Sequence, residues 1–445
     1  MPMAELRRPA PHPERSDARV PRRELLRGAG AAMAAAAIGG TSPAHAAAGE
    51  IPGPTRLAEA VNVRDCGAAG DGKTDDTAAL QKAISRAAQT SRCVRVPPGH
   101  YVTSKPLALE KVAVAGLPQA AWPADVDALP AILPSHRDGP AFELGAAGAM
   151  CGLDVTYRWA AEPEAGPAAV LVRGIGVFVR NVRIRYAWDG IVADGASNVG
   201  RANIENVFLV AVRNCGVRLT GTWDVPRLCN VEVWNAGPVP RGLRKGVGFH
   251  LGKNDLARLT DCFVFAMRHG FLLEDRIDGC KITGGTWGVM NGCATDYCGT
   301  GIELRGEHTL SVSGGTFWDH GSGLVVDGEK ARVRVSGCEL KSNGAPAVVV
   351  RRCQQTVVTG CSLLRPMKEH PGCAASLEGG RTVLGANAIE SHGPAVRIGT
   401  SVRAAVVHAN TLNTHGHDPA IDNRAPKAAV SLNGNIIASA TPPVP

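Results

Sequence analysis

The chain has 445 residues, of which 53 are Gly and 30 Pro; 44% are hydrophobic, only 4% are aromatic, and the formal charge is +8. This composition suits a turn-dense β protein with one continuous core and argues against a chain too polar to bury one. The mild positive balance is compatible with an anionic polymer as partner without establishing it.

Residues 1–46 read as an export leader rather than as part of the fold. Pro21-Arg22-Arg23-Glu24-Leu25-Leu26-Arg27 is followed by an Ala-rich apolar run, Gly28 to Gly40, and by Ala44-His45-Ala46. A paired Arg before a short apolar stretch and a small-x-small cleavage site resembles a twin-arginine signal. No later stretch reaches the roughly 20 apolar residues of a membrane span. The expectation is a protein exported to the periplasm or medium, free of the membrane after cleavage, with residues 47–445 as a single domain. Export leaves nucleic acid an unlikely partner, and the seven Arg and four acids of the leader take +3 of the charge with them.

Residues 60–110 then read as a cap and first coil. The glycine loop Cys66–Gly72 leads through Asp75 and Asp76, either of which can cap the helix predicted over Ala78–Ala88, into the strand, turn and strand of Cys93–Val102 with Pro97-Pro98-Gly99 at the turn. A helix laid across the open end of a stack of strands covers otherwise unpaired backbone.

The segment Asn62 to Leu109 resembles the opening of the pectate lyase-like superfamily, which includes rhamnogalacturonase- and epimerase-like proteins and relatives of glycoside hydrolase family 28. The resemblance implies a right-handed parallel β-helix acting on, or holding, carbohydrate. It also implies that Asp75 and Asp76 belong to the cap and are not a catalytic pair. Polygalacturonases carry an Asn-x-Asp, a paired Asp, a Gly-His-Gly and an Arg-x-Lys. Here Arg268-His269-Gly270 and Asp319-His320-Gly321 occur without a paired Asp in the coils or the Arg-x-Lys, so that mechanism does not transfer. The run of acids with an Arg base that calcium-dependent pectate lyases need is only partly present.

From about 170 to 437 the sequence is periodic. Gly337-Cys338, Gly360-Cys361, Ala386-Asn387, Ala409-Asn410 and Gly434-Asn435 recur at steps of 23, 26, 23 and 25 residues, too short for a helix in the unit and matched to one solenoid coil. Asn181-Val182, Asn206-Val207, Asn230-Val231, Asp261-Cys262, Gly279-Cys280 and Gly314-Gly315 extend the phrase upstream, and the long steps ending at Asp261 and Gly314 predict coils with loops thrown out. Stacked in register, the second member of each phrase meets its equivalent about 4.8 Å away, so Cys262, Cys280, Cys338 and Cys361 are expected to face inward. Cys293 and Cys298 are the best candidates for a disulfide among the thirteen Cys. The His and Cys spacing gives no metal site.

The strands opening successive coils align as Gly190–Asp194, Gly216–Thr220, Gly248–Gly252, Gly270–Glu274, Gly301–Arg305 and Gly323–Asp327. Alternation puts Ile191, Val217, Phe249, Phe271, Ile302 and Leu324 inside. The outer face then carries Asp194, Arg218, Thr220, His250, Glu274, Glu303, Arg305 and Asp327, and the following coils, read there as Val348 and Val350, carry no acid. Family resemblance makes this face the groove, with Trp188-Asp189, Arg268-His269, Asp296-Tyr297 and Phe317-Trp318-Asp319-His320 on the loops entering it. An aromatic ring beside an acid suits a sugar.

Glu274 and Glu303, expected roughly 7 to 9 Å apart from strand spacing, match the span of an inverting glycosidase pair, with Asp319 able to replace either. The expected function is cleavage of a polysaccharide, containing uronate, by hydrolysis on Glu274, Glu303 and Asp319. Asp194, Arg218, His250, Arg305, Trp318 and His320 bind substrate. The alternatives are a lyase or epimerase using His250 or Arg305 as base, and a non-catalytic carbohydrate-binding or surface-structural β-helix. No cofactor is expected, except Ca2+ if the enzyme is a lyase. The resemblance implies a monomer or homotrimer.

Overall fold

The computed structural model describes residues 59–90, 92–118, 129–158, 165–235 and 245–438; the segment 1–46, expected to be an export leader, lies outside the described residues. Strand follows strand without a hairpin, each pairing in parallel with its equivalents one coil away, and the result is a right-handed parallel β-helix of about 14 turns.

A single interior column shows how the sequence dictates the stack. Val61, Val94, Val114, Met150 and Val179 lie in register, and the column continues through Leu259 and Val335 to Val407, one apolar residue per coil. Each side chain is covered by its own equivalents above and below. Coil pairing therefore starts at Val61, well before the periodic phrase becomes legible near residue 170.

That phrase is the αL turn of each coil. Asn181, Asn206, Asn230 and Asp261 have φ of 50–52°, Gly292, Gly314, Gly337 and Gly360 of 61–63°, Ala386 and Ala409 of 54° and 53°, and Gly434 of 65°. Asn and Gly are the residues that tolerate this conformation. The Asn side chains also join along the stack, Asn206 Nδ2 donating to Asn181 Oδ1 at 3.2 Å and Asn230 Nδ2 to Asn206 Oδ1 at 2.9 Å.

The second members point inward, as expected for Cys262, Cys338 and Cys361, which are buried. Downstream they become an Asn ladder in which Asn387 Nδ2 donates to Asn410 Oδ1 at 3.0 Å and Asn410 Nδ2 to Asn435 Oδ1 at 2.9 Å.

Two expectations are corrected here. The ladder member between Asp261 and Gly314 is Gly292-Cys293, with Thr260 paired to Asn291 and Phe263 to Ala294. Gly279-Cys280 lies instead in an insertion, residues 275–285, and Cys280 is only partly buried. Cys293 and Cys298 are both buried and are not joined to each other in a disulfide. Each sulfur already faces a core carbonyl, Cys293 that of Asn291 and Cys298 that of Val264.

The helix Thr77–Gln89 buries Leu80, Ala83, Ile84 and Ala87 against the first coil. Asp76 is buried, and its carboxylate accepts the N–H groups of Ala69 at 2.6 Å and Gly70 at 2.9 Å, while Asp75 takes the Thr77 N–H at 3.0 Å and the Ser104 hydroxyl at 2.6 Å. Both acids shape the glycine loop and helix entry.

Candidate functional site

Six strands build the outer face: Asp189–Asp194, Cys215–Thr220, Val247–Leu251, His269–Glu274, Thr300–Arg305 and Leu324–Asp327. Each enters through a glycine that packs on the interior. A Cβ on Gly248 would stand 2.5 Å from Val264 Cγ2, and one on Gly270 2.3 Å from Thr295 Cγ2. The glycines let the corner turn tightly enough to place the next residues in register. One outward row then reads Val192, Arg218, His250, Leu272, Glu303, Val325, and the row beside it has Glu274, Arg305 and Asp327 on successive coils.

Side chains in these rows join into one chain of charge. Arg305 is the centre, its Nε donating to Glu303 Oε1 and its Nη1 to Glu274 Oε1, both at 2.8 Å. Glu274 Oε2 lies 2.8 Å from His250 Nε2, and Glu303 Oε2 lies 3.1 Å from His269 Nδ1. The order is His250, Glu274, Arg305, Glu303, His269. The bond from His250, helped by Arg305, holds Glu274 below the usual carboxylate range against the opposing effect of burial. Burial works strongly against ionising Glu303, which is only 7% exposed, yet the His269 ring 3.1 Å away and the bond from Arg305 bring it down to about 2. Both glutamates are therefore anions, and Arg305 stands between them where the hydrolytic pair expected from strand spacing would need open space.

The other expected groove residues divide. Arg218 stands in the outer row with Nη2 3.8 Å from Asp189 Oδ2, and Asp189 also accepts from Asn214 Nδ2 at 2.7 Å. Burial raises the pKa of Asp189, with Arg218 opposing. Asp194 is taken up by Arg173 Nη1 at 2.8 Å. Thr220 is buried, its hydroxyl accepting the Lys253 N–H at 3.0 Å. Trp318 and His320 stand on the adjoining face and its turn, beside a cavity of about 280 Å³.

Asp319 does not reach the groove as an exposed loop acid. It ends the strand Thr316–Asp319, in which Phe317 and Asp319 point inward, and is 2% exposed. Its Oδ2 accepts from Thr295 Oγ1 at 2.7 Å and its Oδ1 from the Cys298 N–H at 3.1 Å. It cannot replace Glu274 or Glu303 on the outer face.

The insertion 275–285 does not cover Glu303 either. It folds back over earlier coils, setting Ile282 against Gly195 and Gly221 and Ile277 against Gly252. His269 and Asp189 belong to the site and were not among the expected substrate or catalytic residues. Expected on loops entering the groove, both are strand residues next to the entry glycines, in the row Asp189, Cys215, Val247, His269, Thr300.

Residues 60–121 match the family described as rhamnogalacturonase A/epimerase, pectate lyase-like, and residues 215–391 match the right-handed β-helix region family. These matches support a pectate lyase-like β-helix. No curated protein sequence matches the chain. Among solved structures it is similar to bacteriophage phi29 gene product 12 (12% identity, TM-score 0.56, covering 85% of this chain and 56% of that one). It is also similar to the catalytic unit of the GH87 α-1,3-glucanase of Streptomyces thermodiastaticus (16%, 0.51, 85% and 69%) and to the A-module of the mannuronan C-5 epimerase AlgE6 of Azotobacter vinelandii (16%, 0.50, 85% and 100%). At these identities the likeness is one of fold, a fold that carbohydrate-active enzymes use.

Proposed function

We propose that this chain is an enzyme acting on a uronate-containing polysaccharide by taking the proton next to the uronate carboxylate. The observation that carries the reading is Arg305 between two glutamates, each of which lies against an imidazole, His250 at 2.8 Å from Glu274 and His269 at 3.1 Å from Glu303. Abstraction of the C5 proton leaves negative charge spread onto the carboxylate, and a guanidinium already in place lowers the barrier to forming it. Imidazole is the side chain suited to moving protons near neutral pH. Glu274 and Glu303 serve as positioning residues that orient His250 and His269. Two outcomes share this first step. If the C4–O bond then breaks, the C5–H electron pair becomes the C4–C5 double bond and the glycosidic oxygen leaves with a proton from the second imidazole. If that imidazole instead returns a proton to the opposite face of C5, the product is the epimer.

Hydrolysis fits less well, because it requires a carboxyl group that stays protonated, and Glu303 and Glu274 are both held ionised. The hydrolytic alternative rests on Asp189, whose pKa burial raises at the edge of the outer face. Arg305 can supply the positive charge without a calcium ion, and the chelator in the test below decides whether the lyase outcome also uses Ca2+.

The test is incubation of the protein with polygalacturonate and alginate in deuterated buffer, with and without a chelator. Unsaturated uronate, or deuterium at C5 with inverted configuration, is expected, and Arg305→Ala should remove it. Reducing ends without a new chromophore or C5 deuterium would give the hydrolytic reading; no product from any polymer would favour a binding module.

A further inference from the structure

On the face next to the Arg305 rows, a second exterior column runs along the coils. In register it reads Trp234, Phe265, Asp296, Trp318, Lys341. Trp234 and Phe265 stack with centroids 4.4 Å apart and planes within 16°; Phe265 meets Tyr297 at 5.5 Å, and Tyr297 meets the His320 ring edge-on at 5.3 Å. In a chain with only 4% aromatic residues, four consecutive coils each place a ring on this one strip, Trp234, Phe265, Tyr297 and Trp318. Trp318 is 44% and Tyr297 39% exposed, so these rings contribute little to the core, and clustered exposed rings mark a binding surface.

The strip has polar features as well. Trp318 is fixed by its Nε1–H donating to Glu339 Oε1 at 2.7 Å, and the Lys341 ammonium sits 4.9 Å from its ring centre. The cavity of about 280 Å³ opens among Asp296, Tyr297, Trp318, His320, Lys341 and Asn343. It therefore offers an aromatic wall, a carboxylate and an amide for hydroxyls, and a cation. Flat apolar protein surfaces have no use for that mixture in a concavity, whereas a sugar ring has an apolar face, a rim of hydroxyls and, in a uronate, one anionic corner.

We infer that this strip is a second saccharide-binding site, separated from the Arg305 cluster by the turn carrying Tyr297 to Gly299, and that it takes a uronate unit of an acidic polysaccharide. The Tyr297 and Trp318 rings meet the apolar face of the sugar, Asp296 and Asn343 take its hydroxyls, and Lys341 takes its carboxylate. The choice of an acidic sugar rests on the proposed function; the existence of the site does not.

The experiment uses the full chain carrying Arg305→Ala, which removes turnover and leaves the strip intact, and measures binding of polygalacturonate and alginate oligosaccharides by calorimetry, with dextran as the neutral control. Trp318→Ala and Lys341→Met, each added to that background, should weaken binding of the acidic oligosaccharides by about tenfold, with melting temperature as the check on folding. Lys341→Met, a surface change, keeps the test valid if Trp318→Ala is unstable. Unchanged binding in both variants, or no binding by the parent, overturns the site. Dextran bound as well as the uronates, with no effect of Lys341→Met, overturns the acidic assignment. If the wild-type chain turns over no polymer yet the strip variants lose binding, the enzymatic reading fails and the site stands.

Discussion

The Asp319 carboxyl lies inside the coil between the Thr295 hydroxyl and the Cys298 N–H, and burial raises its pKa from 3.8 to about 8. At neutral pH it is therefore a neutral acid in the folded chain and an anion in the unfolded one. A raised carboxyl pKa makes stability fall as pH rises from 3.8 towards 8, because the unfolded state gives up its proton first. Asn keeps both hydrogen bonds, its oxygen accepting from Cys298 and its amide donating to Thr295, and it has no charge to lose. Asp319→Asn is expected to stabilise the protein at pH 8 by about 1 kcal/mol or more and to be close to neutral at pH 3.5. Urea unfolding at the two pH values checks this, and an equal effect at both would refute it. The inward orientation was legible: Phe317 is plainly a core residue, and alternation puts Asp319 on the same side. The following His320-Gly321 turn is what made it read as a loop acid.

The coil itself was legible because αL turns demand Gly, Asn or Asp, and that demand recurs once per coil. What the phrase does not reveal is whether it stands in the stack or in an excursion from it. Gly279-Cys280 has the right letters, and Gly279 has φ of 79°, yet it sits in the 275–285 insertion while Gly292 makes the turn. Only pairing between coils distinguishes the two. Likewise, strand alternation fixed which side chains face outward but could not foresee that Glu274 and Glu303 would share one guanidinium, because Arg305 lies on the strand of Glu303 and reaches across to the preceding coil. Within the recurring phrase, two αL positions depart from the preference. Ala386 and Ala409 hold φ of 54° and 53° with a Cβ, a conformation that costs roughly 1–2 kcal/mol for a residue that is not Gly. Ala386→Gly should raise stability by about 0.5–1 kcal/mol, after the entropy Gly loses on folding is subtracted. A lower melting temperature for that variant would mean the turn gains more from the Ala386 methyl than it loses to strain.

Along the whole rod, the outer face changes character. Acids and bases occupy it from Asp189 to Asp327, and the next outward residue in register is Val349; Val348 and Val350, expected there, are interior. In that row Ser376 then pairs with Arg397, which holds Asp422 at 3.2 Å, so charge returns to it only near the far end, while the row beside it continues from Asp327 to Arg352, whose Nε donates to Asp327 Oδ1 at 2.6 Å. The stretch from Asp189 to Asp327 covers six coils, or five rises of about 4.8 Å each, about 24 Å in all. Because equivalent residues stack along the axis, a linear polymer held by Arg218, His250, Glu274, Glu303 and Arg305 lies parallel to the rod, and its footprint has that fixed length. The insertion 275–285, folded over Gly195, Gly221 and Gly252, borders the upstream half and leaves Arg305 open. Catalytic efficiency should therefore climb with oligosaccharide length until the chain spans about 24 Å and then level off, which kcat/KM on a graded series of oligouronates measures. Disaccharides handled as efficiently as the polymer would mean that a single subsite does the work and that the rows flanking Arg305 hold no sugar. A rise continuing well past that length would mean the polymer also engages the charges beyond Asp327, at Arg352 and, farther along, at Arg397 and Asp422.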